Sequence, residues 1–396
     1  MHSGSMPRET LAAVGGLTCA AFVFNSSEFM PIGLLTDIAS SFSISEATCG
    51  IMISIYAWAV MLLSLPLMLA ACHVPPRRLI LGVVALFGLG QLCSAVAPTF
   101  VLLVCARLIV ASAHAVFWSI ATPFAVRVAG EAHGPKAIGT VAAGSCVAMV
   151  FGMPLGRMVG LAVGWRMTFA IMAVLAALVV GLLALAFPRL DKGEAFSLSR
   201  LPSLARNRAL MGIYLLTALV ATGYYTGYSY VEPFLGQVTG MGSSLVTLAL
   251  MVFGAAGLLG SQLFSRLYER RRGLFLTLTV AGIPAALLLM LPLSGNAACM
   301  FAVCVLWGVS STAFNVSCQA EVIRTTSQEA GAVAMSIFSG IFNLGIGCGS
   351  WVGGRVVDGL GIEMVDVAGG AIALAGLAWC ALGLLPGLRA EARARS

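Results

Sequence analysis

The stretch Phe24-Asn25-Ser26-Ser27-Glu28-Phe29-Met30-Pro31 places a carboxyl group inside an apolar run that extends from about Leu11 to Leu35. At about 1.5 Å per residue, this run is long enough to cross a hydrocarbon core of roughly 30 Å. A charged side chain at the centre of a spanning helix costs about 2.5–3.5 kcal/mol, so it normally faces a bundle interior or an aqueous cavity. Glu28 is therefore a candidate functional group of a membrane helix.

The composition extends this interpretation to the whole chain. Hydrophobic residues make up 60%, charged residues only 9%, and the mean hydropathy is +1.00, whereas soluble domains carry roughly 25% charged residues. The apolar runs are continuous, which favours a helical membrane protein over a barrel. The net charge of +7 indicates no nucleic-acid partner, because its placement matters more than its total. The cysteines show no metal-ligand or disulfide spacing, so we expect no metal and no cofactor.

Twelve spans are predicted along the chain. Arg8 and the apolar run after it also fit a signal peptide, but the missing cleavage site and the eleven later spans favour an uncleaved helix.

All but four of the 22 Lys and Arg residues lie in the tails and in the loops after even-numbered spans. The positive-inside rule then places both termini in the cytoplasm. The spans are 10–34, 48–71, 78–97, 99–125, 136–160, 165–187, 208–236, 243–266, 273–293, 297–320, 329–356 and 365–387.

A hydrophilic segment at 188–207 divides the chain into halves that resemble each other. We predict an N-terminal six-helix bundle at 1–187, a cytoplasmic linker at 188–207 and a C-terminal six-helix bundle at 208–396. Glu28 precedes Pro31 in the first span, and Glu232 precedes Pro233 in the seventh. The sequence therefore predicts an all-α integral membrane protein of two pseudo-symmetric bundles.

Polar side chains inside the spans supply the candidate site. Arg107, His114 and Trp118 follow each other at spacings of seven and four, so they share one face of the fourth span. Tyr225 and Tyr228 precede Glu232 on one predicted stripe of the seventh span, which lines a cavity or belongs to an interfacial aromatic belt. Tyr230 fits such a belt. Amide groups that either bind solute or join helices are Asn25, Asn315, Gln319 and Asn343.

The missing motifs narrow the class of protein. The stretch Gly130-Glu-Ala-His-Gly134-Pro135-Lys136 lacks the ending of a phosphate-binding loop. There is no convincing nucleophile–base array either, so an enzyme is not expected. Energy for transport would come from an ion gradient.

The chain resembles the drug:proton antiporter branch of the major facilitator superfamily, and within it the bacterial sugar efflux transporters of the arabinose and isopropyl-thiogalactoside exporter type. The resemblance covers nearly the whole chain. It is carried by these stretches: Phe24 to Leu35, Ile55-Tyr56-Ala-Trp58, Arg107 with Ala113 to Ser119, Pro154-Leu-Gly156-Arg157, Gly164 to Phe169, Tyr228 to Phe234 and Phe338 to Gly347.

The resemblance implies the major facilitator fold and export by alternating access. Gly144, Gly152, Pro154 and Gly156 resemble the fifth-helix antiporter motif, and Arg107 matches an arginine associated with proton coupling. The loop after the second span departs from the family pattern, since it keeps the basic pair Arg77-Arg78 without the preceding Asp and Gly. This departure puts the usual Asp-mediated lock of the cytoplasmic gate in doubt.

We therefore predict a monomeric, proton-coupled exporter of sugars or sugar-like solutes in a bacterial inner membrane. The alternatives are a multidrug antiporter, an exporter of amino acids or nucleosides, a channel and a non-transporting receptor. The predicted gating residues are Arg77, Arg78, Gly152, Pro154 and Gly156. The predicted proton-coupling residues are Glu28, Glu232, Arg107 and His114. The predicted substrate residues are Asn25, Glu28, Tyr56, His114, Trp118, Tyr225, Tyr228, Glu232, Asn315 and Asn343.

Overall fold

The computed structural model describes residues 7–71, 73–130, 133–191, 204–326 and 331–386. Every regular element in these ranges is helical, and twelve segments are long and apolar enough to span a membrane. The predicted all-α membrane fold is confirmed. The helices are α1 (Arg8–Phe29), α2 (Leu35–Ser41), α3 (Glu46–Ala71), α4 (Pro76–Ala95), α5 (Phe100–Ala129), α6 (Gly134–Val163), α7 (Trp165–Ala186), α8 (Arg208–Tyr228), α9 (Ser243–Leu267), α10 (Arg272–Met290), α11 (Ala297–Thr325), α12 (Gly331–Leu360) and α13 (Val365–Trp379).

Three spans differ from the predicted continuous helices. The twelfth ends in a π-helical turn, Cys380–Leu384, and the first and seventh each contain a proline. The first span changes to a 3-10 helix at Met30–Leu34 before α2 begins. The seventh ends as an α-helix at Tyr228 and continues through a single turn, Val231–Pro233, and a π-helical turn, Phe234–Val238. Proline has no N–H to donate and crowds the preceding turn, which explains why the regular helix stops near Pro31 and Pro233.

The ends of the other helices follow local side-chain chemistry. The side chains of Thr99, Asn207 and Asn296 accept hydrogen bonds from backbone N–H groups in the first turns of α5, α8 and α11. These bonds satisfy donors that lack a partner at a helix start. The short connections after α6 and α12 both contain a glycine with positive φ, Gly164 at 92° and Gly361 at 95°, a conformation that glycine adopts without steric cost.

The chain forms two compact units. The described residues of Met1–Leu34 and Ala59–Phe196 form the first unit, and those of Leu35–Trp58 and Ser197–Ser396 form the second. The segment Leu35–Trp58, which contains α2 and the first half of α3, thus packs with the C-terminal helices. The predicted linker at 188–207 falls largely on residues 192–203, which lie outside the described part of the chain.

Helix packing repeats between the two units. In the first unit, α1 packs on α6 and α7, and α4 packs on α5 and α7. In the second unit, α8 packs on α12 and α13, and α10 packs on α11 and α13. These are the same pairs when the six spans of each sequence half are numbered alike, so the similarity between the halves extends to their internal packing.

Candidate functional site

The break in the first span leaves one backbone carbonyl without its helical donor, and an arginine side chain donates a hydrogen bond to it instead. In a continuous helix the backbone nitrogen of residue 31 would donate to the Ser27 carbonyl, but Pro31 has no hydrogen there. Arg107 Nη2 of α5 donates to that Ser27 oxygen at 3.1 Å. A second buried arginine acts similarly, because Arg157 Nη1 donates to the Gly33 carbonyl at 2.6 Å. The proline break and the two arginines therefore form one local structure.

Ser27 joins three elements of the first unit. Its hydroxyl accepts a hydrogen bond from Arg107 Nη1 at 3.1 Å and a short one from Gln91 Nε2 of α4. Arg107 is 2% exposed, and its guanidinium also lies over the ring of Phe169, 5.8 Å from the centroid. A buried charge needs such partners to offset its lost hydration. Arg107 is thus held in a fixed position beside the Ser27–Glu28 turn.

Glu28 and His114 lie side by side. Glu28 Oε2 is 3.7 Å from His114 Nε2, and the two side chains are 12% and 4% exposed. This separation exceeds a hydrogen bond but allows an ion pair when the imidazole is protonated. The positive charge of Arg107 acts on both groups. Three predicted proton-coupling residues are therefore neighbours, and a proton gained or lost by Glu28 or His114 changes the charge beside Arg107.

Aromatic rings surround this group of polar side chains. Phe24 stacks between Phe87 and Phe117, with centroids 4.0 and 4.2 Å away. The His114 ring lies 6.1 Å from the rings of both Phe24 and Trp118. Trp118 is half-buried, so part of its face remains accessible. A half-exposed indole beside a carboxyl and an imidazole suits a solute with both an apolar face and hydroxyl groups.

The predicted fifth-span motif lies against the first span. A Cβ at Gly152 would lie 2.8 Å from the Ser26 Cα, and one at Gly156 would lie 2.5 Å from the Met30 side chain. The helix α6 continues through Pro154 without ending. Close backbone approach therefore joins α6 to the turn that carries Glu28, while the gating role of Gly152, Pro154 and Gly156 stays a prediction.

The second unit contains a compact aromatic cluster on α8. Tyr228 lies 5.0 Å from Tyr224, 5.7 Å from Tyr225, 5.1 Å from Phe253 and 5.8 Å from Trp307, measured between ring centroids. The three tyrosines are each less than a tenth exposed. Tyr225 and Tyr228 are thus packed among rings. Because α8 ends at Tyr228, Glu232 does not continue their helical stripe as predicted.

Glu232 lies beyond the end of α8 and contacts the segment that follows the first span. Its Oε2 accepts hydrogen bonds from Thr36 Oγ1 at 2.8 Å and from Thr36 N at 3.3 Å. Thr36 Oγ1 also lies 2.9 Å from Glu46 Oε1, which accepts from Gln237 Nε2 at 2.7 Å. Glu232 and Glu46 therefore join Leu35–Trp58 to the seventh span within the second unit.

Tyr230 does not belong to an interfacial belt, in contrast to the sequence interpretation. It is fully buried, and its hydroxyl donates to the Ser350 carbonyl of α12 at 3.1 Å. Its ring end lies against Gly50 of α3, where a Cβ would collide with the hydroxyl oxygen.

The predicted amide groups have different surroundings. Asn343 is 7% exposed; its Nδ2 donates to the Ser339 carbonyl at 3.0 Å, whereas its Oδ1 has no donor in the described part of the chain. Gln319 donates a short hydrogen bond to Asn315 Oδ1, one turn earlier on α11. Asn25 is half-buried on α1, and Tyr56 is 4% exposed on α3. Among the predicted amides, Asn343 therefore has a buried oxygen that receives no hydrogen bond in the described part of the chain.

Of the basic pair after the second span, Arg77 contacts a neighbouring helix and Arg78 is exposed. Arg77 Nη2 donates to the Ala184 carbonyl at the end of α7, where a cation also complements the helix dipole. Arg78 is exposed. In the other half, the basic residues after the eighth span include Arg272, which binds a side chain and not a backbone carbonyl. It donates to both oxygens of Glu321, a carboxylate that is 1% exposed.

Tyr268 completes the Arg272–Glu321 cluster. Its hydroxyl donates a short hydrogen bond to Glu321 Oε1. Burial, and next the bond to this carboxylate, raise the pKa of Tyr268 well above its usual value, which keeps the hydroxyl a donor.

Several residues of these clusters were missed by the sequence analysis. Gln91 is a polar group inside a predicted span, which is itself a signal of burial against another helix. Ser27 carried a subtler signal, because it lies four residues before Pro31 and so has a free carbonyl. The pairing of Thr36 with Glu232 had no signal in the sequence.

Comparison with known proteins identifies the family. The profile described as Major Facilitator Superfamily matches residues 17–334. The chain belongs to this superfamily. It is 40% identical over 360 residues to a "Probable sugar efflux transporter" of Mannheimia succiniciproducens, covering 91% of this chain and 90% of that one. It is 39% identical over 375 residues to a protein of the same description from Helicobacter pylori, covering 95% and 96% of the two chains.

Solved structures agree on the fold. A bacterial homologue of the human lysosomal transporter Spinster, in an inward-facing and unoccupied conformation, superposes with a TM-score of 0.75 at 17% identity, covering 95% of this chain and 97% of that one. The human organic anion transporter MFSD10 gives a TM-score of 0.69 at 15% identity, with 94% and 100% covered. The family match and the curated relatives, together with the twelve spans, make the protein a multi-pass membrane transporter and not an enzyme.

Proposed function

We propose that this protein exports sugars or sugar-like solutes across a bacterial inner membrane in exchange for protons, by alternating access. Both termini lie in the cytoplasm, as the distribution of Lys and Arg predicts, and the transporter works as a monomer. The geometry of Glu28, His114 and Trp118 supports this proposal most directly, together with relatives described as sugar efflux transporters that match over nine-tenths of the chain.

The polar groups of the first unit suit a carbohydrate. The Glu28 carboxyl accepts hydrogen bonds from sugar hydroxyls, and the half-buried indole of Trp118 offers an apolar face to the ring. In the second unit, the buried Asn343 Oδ1 is an acceptor that a hydroxyl would satisfy. A lipophilic cation would use the aromatic rings and the charge of Glu28, but it would donate no hydrogen bond to the Asn343 oxygen.

Proton coupling follows from competition at Glu28. A proton on Glu28 or His114 changes the charge beside Arg107, and a sugar hydroxyl that binds Glu28 occupies the same oxygen atoms. Binding of one ligand therefore disfavours the other. An inward proton gradient then drives outward movement of the solute, and a membrane potential adds about 2.3 kcal/mol per charge per 100 mV. Glu232 is the second candidate carboxyl, held by Thr36 in the structure.

A counterflow screen in proteoliposomes tests the substrate class. Vesicles preloaded with arabinose or a thiogalactoside should accumulate the labelled form of the same solute. Lipophilic cations, amino acids and nucleosides should give little exchange. Stronger exchange with lipophilic cations would contradict sugar export and favour a multidrug antiporter. Non-saturable flux would indicate a channel, and binding without flux would indicate a receptor.

A further inference from the structure

A carboxyl group that the transport proposal does not use lies inside the second unit. Asp366 occupies the first turn of α13 and is fully buried. Neither of its carboxyl oxygens has a hydrogen-bonding partner in the described part of the chain. An ionised carboxylate in such a place would lose its hydration without any compensating donor, which is among the costliest arrangements in a protein interior.

The surroundings of Asp366 are a tightly packed helix contact. Its Oδ1 lies against Gly227 of α8, where an added Cβ would collide with it. One turn further along each helix, a Cβ at Gly223 would lie 2.6 Å from the Gly369 carbonyl and 2.6 Å from the Ala373 nitrogen. The two backbones therefore approach closely through small residues, and this α8–α13 contact separates Asp366 from water.

Asp366 forms no ion pair in the described part of the chain. The thiol of Cys304 on α11 interacts with Asp366 electrostatically. The side chain that α10 places beside Gly227 is apolar, Leu287. The π-helical turn after α13 contributes buried Cys380 at the far end of the helix. Among the described residues, the elements packed against α13 near this end also carry the phenols Tyr224, Tyr225 and Tyr228 of α8, exposed Arg355 and Asp358 of α12, and exposed Glu363 of the 3-10 helix that precedes α13.

We propose that Asp366 is a proton-binding site, which holds one proton while α8 and α13 are in contact and releases it when the outer end of α8 separates from α13. The position at which α8 ends supports a link between helix separation and proton release. The regular helix ends at Tyr228, one residue after Gly227, and the aromatic cluster around Tyr224 and Tyr228 occupies the same turn. Movement of that cluster would therefore open the contact that covers Asp366.

Infrared spectroscopy tests the proton directly. The protein is reconstituted in lipid at neutral pH in the Glu28→Gln background, so that the Glu28 carboxyl contributes no signal. The carbonyl stretch of a protonated carboxylic acid should be present, should persist in Glu363→Gln and should disappear in Asp366→Asn. Glu363 is a matched control because it is an exposed carboxyl three residues earlier. An unchanged band in Asp366→Asn would overturn the proposal.

The pH dependence of unfolding provides a second readout. If the folded protein holds a proton that the unfolded chain releases, its stability falls as pH rises, by up to about tenfold in the unfolding equilibrium per pH unit for one proton. Asp366→Asn should remove that share of the slope between pH 5 and 7, and Glu363→Gln should keep it. Equal slopes in all three proteins would contradict the proposal. Asp366→Ala serves the same comparison if the amide disturbs folding.

These tests are independent of sugar export. They concern the protonation of Asp366 and not the solute, so a negative counterflow screen would leave them unaffected. Conversely, a negative infrared result would leave the roles of Glu28 and His114 unchanged.

Discussion

Pro31 leaves a backbone acceptor available to the buried guanidinium of Arg107 in the first unit. The proline removes a backbone donor from the Ser27 carbonyl, and Arg107 supplies another. The Ser27 hydroxyl then accepts from both Arg107 and Gln91. The sequence predicted the shared face of Arg107, His114 and Trp118, because helical periodicity determines it. It could not predict Ser27 as their partner, because that contact depends on how α1 and α5 pack.

Removing the Ser27 hydroxyl should therefore be costly. We expect Ser27→Ala to lower the free energy of unfolding by about 1–3 kcal/mol, because Arg107 and Gln91 lose a buried acceptor. Ser112→Ala is the control, since that half-buried hydroxyl donates only to the Leu108 carbonyl of its own helix. Thermal unfolding in detergent measures both. Equal effects of the two substitutions would show that the Ser27 contacts contribute little.

Glycine packing between α1 and α6 is the clearest feature at the scale of elements. Alanine at Gly152 would force its Cβ against the Ser26 backbone, so Gly152→Ala should cost about 1–3 kcal/mol of stability through overpacking. Gly139→Ala, on the same helix and with no atom near the added Cβ, should be neutral or stabilising by up to about 1 kcal/mol. A thermal shift assay that ranks the two variants in the opposite order would contradict this packing.

The ion pair between α10 and α11 is a second element-scale contact. Glu321 is 1% exposed and the Arg272 side chain is 34% exposed, so solvent moderates the interaction. Glu321→Gln should cost toward the lower end of roughly 3–5 kcal/mol, because a partly buried guanidinium loses its charge partner.

Glu269 offers a matched comparison for Glu321. Its pair with Arg324 is exposed on both sides, at 69% and 41%, so Glu269→Gln should change the free energy of unfolding by no more than about 1 kcal/mol. Chemical denaturation of both variants provides the measurement. A cost for Glu321→Gln as small as that for Glu269→Gln would exclude a stabilising role of the cluster.

The seventh span shows where element-scale prediction fails. Hydropathy continues past Tyr228, so the sequence predicted a helix to residue 236, but α8 ends at Tyr228. The helix break moves Glu232 off the predicted stripe, and its carboxylate binds Thr36 instead of continuing the line of Tyr225 and Tyr228. Helical periodicity cannot anticipate such a break, because Pro233 alone is compatible with either a kink or an end.

At the scale of the whole molecule, the twelve spans and the repeated helix packing follow from hydropathy and from the similarity of the two halves. The membership of Leu35–Trp58 in the second unit does not follow from them. That assignment rests on tertiary contacts such as Glu232 with Thr36, Tyr230 with Gly50 and Trp58 with Gly347, which link residues far apart in the sequence. The division into six and six helices remains a prediction about domains.

Proton-coupled export through a buried carboxyl is the central claim, and gradient-driven flux measures it directly. Proteoliposomes carrying the wild type, Glu28→Gln, Glu232→Gln or the double variant are given a pH gradient and a labelled sugar, with Glu9→Gln, an exposed carboxyl of the same helix, as control. We predict that Glu28→Gln loses gradient-driven transport but keeps counterflow, whereas Glu9→Gln keeps both. Full gradient-driven transport by both single variants and by the double variant would contradict the account.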